Sequence, residues 1–291
     1  MGDETIQVAV LGLGAMGSAV AGRLVAGGID VLTVEEGRSE ASRKRARDAG
    51  IRAGAWSDLA AVDIVLSIVP PAQARSVAAG VAAIPARKQG RVFADCNAIS
   101  PQTMQSVAML FATTADQIAD AGIIGAPPKD QQGPVIYLSG PGAQAVSVLK
   151  ESGLDMRVID GPIGAASALK MSYAGITKGL TALGAAMMLA ATRSGAAAAL
   201  AAELAASQPQ LLAWLTRSVP GMLPKAYRFD GEMSEIADFL GDPAQGAGIY
   251  DGMAQLYRAI ALDGRADGHA AEQLHAFVDA ANTLLNSKAG D

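Results

Sequence analysis

The sequence predicts an α/β chain: a doubly wound, mostly parallel sheet followed by an all-α domain. Three observations predict it. An apolar strand, Ile6 to Leu11, runs straight into Gly12-Leu13-Gly14-Ala15-Met16-Gly17 and then into an amphipathic helix from Ser18 to Ala26. Apolar strands and helical stretches then alternate as far as Ile159. From Ile163 onward nothing alternates with period two, and long Ala/Leu/Met stretches at helical spacing dominate. Two domains are therefore expected, 1–162 and 163–291.

The glycines of the G-x-G-x-x-G turn have separate tasks. Gly12 permits a tight turn, Gly14 lets a pyrophosphate approach the backbone, and Gly17 lets the helix pack close to the strand. A helix start offers unpaired N–H groups and the positive end of a dipole, so Gly12, Leu13, Gly14, Ala15, Met16 and Gly17 can hold an anion without a basic side chain. A second strand, Ile29 to Val34, follows. Glu35 then falls roughly twenty residues into the unit, where an acidic group meets the ribose hydroxyls of an adenosine. The first domain thus reads as dinucleotide-binding. Cofactor choice rests on opposed signals: Glu35 repels a 2′-phosphate and favours NAD, whereas Arg38, Ser39 and, a turn later, Arg43 can cradle one and favour NADP. Three donors against one carboxylate tip the reading of NAD(P) towards NADP.

Gly37-Arg38-Ser39 opens a helix that ends near Gly50, and Trp56-Ser57-Asp58-Leu59 reads as a helix start capped by Ser57 or Asp58. A strand from Ile64 to Val69 stops at Pro70-Pro71, which places Val69 and Pro70 beside the cofactor at the ligand edge of an open sheet. Gln73 to Ala83 reads as a helix, Arg91 to Asp95 as a strand, and Pro101 to about Phe111 as a helix. A short strand around Gly122 to Gly125 ends in a loop at Ala126-Pro127-Pro128. Val135 to Ser139 is a strand, a helix runs to Glu151, and Met156 to Ile159 is the last strand. In the second domain, Gly179 to Ala191 is too short to span a bilayer and reads as a helix buried between domains. Ser194 to Ser207 reads as a packed helix with a stripe through Leu200 and Leu204.

At 291 residues and 51% hydrophobic content the chain has material for two cores and is not disordered. A net charge of −5 without long like-charge runs leaves no nucleic-acid footprint. The one basic cluster, Arg43-Lys44-Arg45-Arg47, reads as a solvated helix face. A single cysteine, Cys96, cannot close an internal disulfide, and Met1-Gly2-Asp3-Glu4 lacks the basic start of a signal peptide. Ile6 stands where a myristoylation motif needs Ser or Thr. A cytoplasmic protein without membrane association is expected. His269 and His275 lie apart from any cluster at ligand spacing, so no metal site is expected, and Cys96 has no partner histidine to make it a nucleophile.

Residues 1–39, Asp95 to Pro101, Asp120 to Pro128 and Gly161 to Lys178 together resemble the β-hydroxyacid dehydrogenase superfamily, which includes 3-hydroxyisobutyrate and 6-phosphogluconate dehydrogenases. The resemblance implies a Rossmann domain, one long interdomain helix and a helical domain that dimerises, with nicotinamide and a small-molecule substrate in the cleft between domains. Gly12, Gly14 and Gly17 match the cofactor turn, and Asp95 to Pro101 matches the substrate loop, with Asn97 and Ala98 where members commonly carry Ser-Ser or Ser-Thr. Asn97 keeps an amide for substrate or cofactor, while Ala98 loses a hydroxyl contact. Ile124-Gly125-Ala126 stands where the family's Ser-Gly-Gly binds a carboxylate. These variants look like a branch similar to NAD-binding phosphogluconate dehydrogenases.

Lys170 matches the family's catalytic lysine. A buried amine with a lowered pKa can take or return a hydroxyl proton while hydride leaves the same carbon. Ala174 stands where the family has asparagine, and helical spacing puts Lys170, Tyr173, Ala174 and Thr177 on roughly one face, with Lys178 offset but near. Tyr173 or Thr177 is placed to supply the missing hydrogen bond, and Tyr173 reads equally as a packed aromatic. In the stretch Tyr227 to Glu235, Glu232 is the nearest counterpart of the family's acid, while its lysine partner is absent. Arg228 is placed to bind a substrate anion from a partner subunit; an ordinary loop and helix cap is the equal alternative.

The reading that results is an NAD(P)-dependent oxidoreductase transferring hydride between nicotinamide and a small β-hydroxy acid or sugar-acid type of substrate, with Lys170 as general acid and base. Two others stand beside it: an NADPH-dependent imine reductase, of which many replace the lysine by aspartate or tyrosine, and a non-catalytic dinucleotide-binding regulator. A helical domain so rich in Ala, Leu and Met needs more cover than its own chain supplies, and a homodimer is expected.

Overall fold

A computed structural model describes residues 6–87, 89–128, 133–264 and 268–288. The first five residues, read above for targeting and lipidation signals, lie outside the described residues. The chain divides into two compact units, Met1–Met171 and Ser172–Asp291.

The first unit contains, in chain order, β1 (Gln7–Leu11), α1 (Ala15–Ala26), β2 (Asp30–Val34), α2 (Glu40–Asp48), β3 (Arg52–Gly54), β4 (Ile64–Ser67), α3 (Ala74–Ala82), β5 (Val92–Asp95), α4 (Pro101–Met109), β6 (Gln117–Ile124), β7 (Val135–Ser139), α5 (Ala143–Val146) and β8 (Asp155–Val158). They build one sheet of order β3-β2-β1-β4-β5-β6-β7-β8, parallel except where β6 meets β7. Strand order reverses at β1, so the ligand crevice of this sheet lies at the carboxyl ends of β1 and β4. Alternation buries both faces of β1. Val8 and Val10 cluster with Val20 and Leu24 of α1, while Ala9 and Leu11 cluster with Val65, Val77, Phe93 and Met104 on the opposite face.

Several elements differ from the sequence reading for identifiable reasons. β3 is a three-residue edge strand with no apolar pattern, made by pairing with Leu32 to Val34. β6 starts at Gln117, because an Ala-Asp-Ala-Gly run of little strand propensity is held between β5 and β7. The helix expected to reach Glu151 breaks after Val146 into a tighter 3-10 turn over Ser147–Ser152. Trp56–Ala60 is likewise a single 3-10 turn, whose Asp58 carboxylate accepts from the Ala55 N–H at 2.8 Å. Just before β5 and β6, Arg91 and Asp116 form an ion pair in which each side chain is only 1% exposed. Two bonds of 2.6 and 2.8 Å join them, and Arg91 also donates to the carbonyls of Leu59 and Ile84. Satisfied in this way, the pair pins the starts of two neighbouring strands without an orphaned charge.

The next helix, α6 (Ala165–Arg193), begins in the first unit and continues into the second. The sequence-based boundary at 162/163 lies just before it. Its 29 residues correct the reading of Gly179 to Ala191 as a short helix, since by length and composition alone α6 is enough to cross a membrane. Ala182, Ala185, Met188 and Leu189 are buried, and the hydroxyl of fully buried Tyr257 donates to the Lys178 carbonyl at 2.6 Å. The second unit continues with α7 (Ala197–Ser207), α8 (Pro209–Met222), α9 (Ala226–Leu240), α10 (Ala247–Asp263) and α11 (His269–Lys288). In α7 the buried side chains are Ala201 and Ala205; the expected leucine stripe is only half-buried, because two small side chains bring the helix closer to its neighbours. Phe229 of α9 meets Tyr257 of α10 edge to face, with ring centroids 5.3 Å apart.

Candidate functional site

The glycine-rich turn is dictated by steric limits. At Gly12 φ is +98°, and a Cβ there would lie 2.3 Å from the Ile68 carbonyl oxygen; at Gly17 it would lie 1.9 Å from the carbonyl oxygen of Gly12. Gly14, the N-cap of α1, is different: nothing lies within 4 Å of the position a Cβ would occupy. With the orphan N–H groups of a helix start, this open backbone is a cradle that fits a pyrophosphate. Arg45 corrects the reading of its cluster as a solvated face. Its Nε donates to the Leu13 carbonyl at 2.8 Å and its guanidinium to the Ser42 hydroxyl at 2.9 Å, so α2 braces the turn. Nothing in a run of four basic residues tells which one points inward.

At the carboxyl end of β2, Glu35, Arg38, Ser42 and Arg43 line a small pocket together with Leu13, Thr33 and Val34. The Nε of Arg43 is buried without a hydrogen-bond partner, the one such side-chain nitrogen or oxygen among the described residues. An unmatched buried donor marks a place for an acceptor. Ser39 does not join this pocket. As N-cap of α2 its hydroxyl accepts from the Ser42 N–H and donates to the Ser42 hydroxyl, both at 3.3 Å, because a helix start needs a cap; the hydroxyl on the pocket wall is that of Ser42.

Backbone bonds bring the strand ends together: the Ile68 N–H donates to the Leu11 carbonyl at 2.8 Å and the Cys96 N–H to the Ser67 carbonyl at 2.9 Å. Asn97 corrects an expectation here. Its Oδ1 accepts from the Val69 N–H at 2.7 Å, and its Nδ2 donates to the Ser67 hydroxyl at 3.2 Å and to Asp95 at 2.9 Å. With 3% exposure the amide is used up in joining the ends of β4 and β5, so it is not offered to substrate or cofactor. Pro70 is exposed, Val69 is buried, and Ala98 is half-buried. Burial pushes the Asp95 carboxyl up to about 7, with the Asp120 charge adding to the rise, against the opposing effect of two Asn97 hydrogen bonds and the Lys170 ammonium. Burial also pushes the Cys96 thiol up, which keeps it protonated.

Asp120, within β6, fixes the start of α6. One carboxylate oxygen accepts from the Ser167 N–H at 2.9 Å and the Ser139 hydroxyl at 3.1 Å, the other from the Ser167 hydroxyl at 2.6 Å, while the Ser139 oxygen accepts from the Ala166 N–H at 3.0 Å. The first turn of α6 is thus capped by side chains of the sheet. Lys170 follows within a turn, half-buried, with its Nζ donating to the Ile123 carbonyl at 3.0 Å. Beyond β6, Ile124 is half-buried and Gly125 and Ala126 are exposed. In the sequence the signal for this role of Asp120 is a lone acid inside an otherwise apolar strand.

Further along α6, Tyr173 is exposed and Ala174 buried. The Thr177 hydroxyl donates to the Tyr173 carbonyl at 2.9 Å, a bond within its own helix that commits its proton and leaves its oxygen as an acceptor. The stretch Tyr227 to Glu235 lies inside α9 and is neither loop nor cap. There Glu232 pairs with Lys178, whose ammonium stands 4.5 Å from the centre of the Phe229 ring. Arg228 is exposed. Among the described residues no group of three or more His, Cys, Asp and Glu is arranged to hold a metal ion.

Residues 7–153 match the model of the NAD binding domain of 6-phosphogluconate dehydrogenase, and residues 191–260 match a domain of unknown function, DUF1932. An uncharacterised 28.5 kDa protein of Methanothermus fervidus is 30% identical over 161 residues, 53% of this chain and 59% of that protein, so the match spans less than two thirds of that relative. A solved conserved protein of unknown function, described as similar to 3-hydroxyacid dehydrogenases, has a TM-score of 0.70 at 27% identity, over 90% of this chain and 99% of the other. For 3-hydroxyisobutyrate dehydrogenase of Mycobacterium tuberculosis the TM-score is 0.71 at 18% identity, over 96% and 99%. A reductive aminase of Aspergillus terreus solved with NADPH gives 0.55 at 18%, over 90% and 95%. The last two are likenesses of fold.

A raised carboxyl has a stability consequence of definite sign. Between 3.8 and about 7 the folded chain holds a proton on Asp95 that the unfolded chain has released, so this residue's contribution to stability falls as pH rises through that window and is constant above it. Asp95→Asn should remove that part of the slope. Urea midpoints measured from pH 4 to 8 check it, and a variant with the wild-type pH dependence would refute it.

Proposed function

Because the chain belongs to the family of the NAD binding domain of 6-phosphogluconate dehydrogenase, we propose that it is an NAD(P)-dependent oxidoreductase acting on a small β-hydroxy acid or sugar-acid type of substrate, with Lys170 as its general acid and base. The observation that carries this reading is the position of Lys170. It stands at the end of β6, close enough to Asp95 for its charge to act there, and Asn97 ties Asp95 to Val69, beside the glycine turn. A bound nicotinamide supplies the hydride acceptor or donor. The chain's own work is to hold the phosphates at Gly12 to Gly17 and to move one proton at the Lys170 Nζ, which the Ile123 carbonyl orients. In the oxidising direction the neutral amine takes the hydroxyl proton, and in the reverse the ammonium returns it to the carbonyl oxygen. Ala98, Ile124, Gly125 and Ala126 form the substrate rim in this reading, Tyr173 is the second candidate proton donor, and Arg228 binds the substrate anion from a partner copy.

Arg38 and Arg43, with the unmatched Arg43 Nε, support use of NADP: a 2′-phosphate is the acceptor such a pocket fits. An apolar seam supports a homodimer. Tyr173, Ile176, Leu180, Leu183 and Met187 recur along α6 at intervals of three and four residues and are between 42% and 64% exposed. A second copy laid along that seam would cover it. The same reading places the protein in the cytoplasm.

Three expected outcomes test these readings. With a substrate found among hydroxy acids, phosphorylated sugar acids and cyclic imines, Lys170→Ala and Lys170→Met should each lower turnover roughly 10² to 10⁴-fold at unchanged dinucleotide affinity. Lys170→Arg should rescue little, because a guanidinium stays protonated. Full activity in Lys170→Met would end the assignment, as would a chain that binds cofactor but turns over nothing in the panel. For the cofactor, Arg38→Ala and Arg43→Ala should each weaken NADPH binding about tenfold and leave NADH unchanged. Titrations showing NADPH at least about tenfold weaker than NADH, and insensitive to both changes, would reverse the choice. For assembly, light scattering should give a dimer that Ile176→Asp with Leu183→Asp converts to monomer; a wild-type monomer at micromolar concentration excludes it.

A further inference from the structure

A buried row of four polar side chains crosses the sheet from β4 to β7. Register pairs Ser67 with Asp95, Asp95 with Asp120 and Asp120 with Ser139, and none of the four is more than 1% exposed. Paired positions on neighbouring strands share a face of the sheet, so the two carboxyls stand side by side on backbones about 5 Å apart, one pleat beyond Val65, Phe93 and Ile118. Lys170 is aimed at this row. Ser167, whose N–H and hydroxyl donate to the Asp120 carboxylate, lies three residues before Lys170 and therefore on the same face of α6. Gly122, two residues beyond Asp120 on the same face of β6, leaves room for that helix face. A Cβ there would lie 2.6 Å from the Ala166 carbonyl oxygen and 3.3 Å from the Lys170 Cβ. The Lys170 side chain thus starts over the neighbour of Asp120, and its Nζ ends at the Ile123 carbonyl.

We propose that Asp95 is a positioning residue for the proton of Lys170: its ionised form holds that proton on the amine, and its protonated form lets it go. The inference rests on the reading of Lys170 as general acid and base, and adds what sets the pH at which it works. Two carboxyls in one buried row oppose each other's ionisation. Asp120 accepts from Ser139 and twice from Ser167, whereas both bonds to Asp95, each of 2.9 Å, come from Asn97. Burial, with the Asp120 charge, pushes Asp95 up to about 7, and the Lys170 ammonium acts in the opposite direction. Such a coupling is mutual: an ammonium that favours the Asp95 carboxylate is favoured by it to the same extent. The charged and titratable groups around Asp95 are Asp120 of β6, Lys170 of α6 and the Cys96 thiol in its own loop, which burial pushes up. On the other side β4 offers Ser67, and α4 has no titratable residue.

Lysine side-chain NMR tests this with neither cofactor nor substrate present, so its outcome is independent of hydride transfer. In protein isotope-labelled at the lysine Cε and Nζ, the resonance missing from Lys170→Arg is that of Lys170. In the wild type its pH titration should depart from a single ionisation, because it reports the Asp95 carboxyl as well as its own proton. In Asp95→Asn the curve should fit one ionisation with a midpoint lower by about one pH unit or more, since the charge holding the proton is gone. Asp48→Asn, an equal change of charge at an exposed position of α2, should leave the midpoint in place. With a substrate in hand, the acid limb of kcat/KM for oxidation should move to lower pH by the same interval in Asp95→Asn, a shift that a merely structural residue does not cause. If Asp95→Asn does not fold, the wild-type curve decides alone. The proposal is overturned by a wild-type curve that one ionisation fits, or by a Lys170 midpoint that Asp95→Asn leaves unchanged or raises, or that Asp48→Asn lowers as much. A midpoint that falls while the rate profile stays in place upholds the coupling and ends the role of Lys170 as base.

Discussion

The buried carboxylate of Asp120 decides where the longest helix of the chain begins. A helix start leaves its first N–H groups unsatisfied, and in α6 those of Ala166 and Ser167 are met from the sheet, by Ser139 and Asp120. With 0% exposure the carboxylate is itself satisfied by the Ser167 and Ser139 hydroxyls, so the arrangement is closed on both sides. Everything placed by α6 follows from that anchor. Lys170 comes to the Ile123 carbonyl at the end of the same strand because the helix carrying it has its first turn tied to that strand.

The same economy of polar groups runs across the neighbouring strand ends. Asn97 makes four bonds there: its Oδ1 accepts from the Val69 N–H, its Nδ2 donates to Ser67 and to Asp95, and its own N–H donates to Asp95. Where β4 and β5 end, side chains that look available in the sequence are therefore committed to the backbone and to one another. The side chains of Ala98, Ile124, Gly125 and Ala126 beside these strand ends offer no hydrogen-bond donor.

Near the glycine turn the packing is limiting in another way. The contacts at Gly12 and Gly17 are too short for any side chain, whereas the space over Gly14 is open, so one six-residue stretch contains both a tightly packed corner and a bare backbone. Arg45 stiffens the corner through the Leu13 carbonyl, and Arg43 on the same helix leaves its Nε unmatched in the pocket beside Glu35. Two arginines two residues apart thus meet different surroundings, one bonded to the backbone and one lining a small pocket.

The α/β order, the glycine turn, the change to helices after Ile163 and the candidate lysine were legible in the sequence by itself, since all are carried by local patterns: period, turn chemistry and motif spacing. The tertiary structure alone decided what depends on partners distant in the chain. β3 exists only through its ladder with β2, and β6 gains its first half by pairing with β5 and its second half by pairing with β7. Asn97 has the chemistry of a ligand group and is a strand tie, Ser39 that of a phosphate donor and is a helix cap, and Arg45 stands in a basic run that reads as solvated and is a brace. Glu232 found its lysine on α6. In each case the residue type announces hydrogen-bonding capacity, but which partner uses it is set by backbone groups brought within 3 or 4 Å by the fold, and no local pattern encodes that encounter.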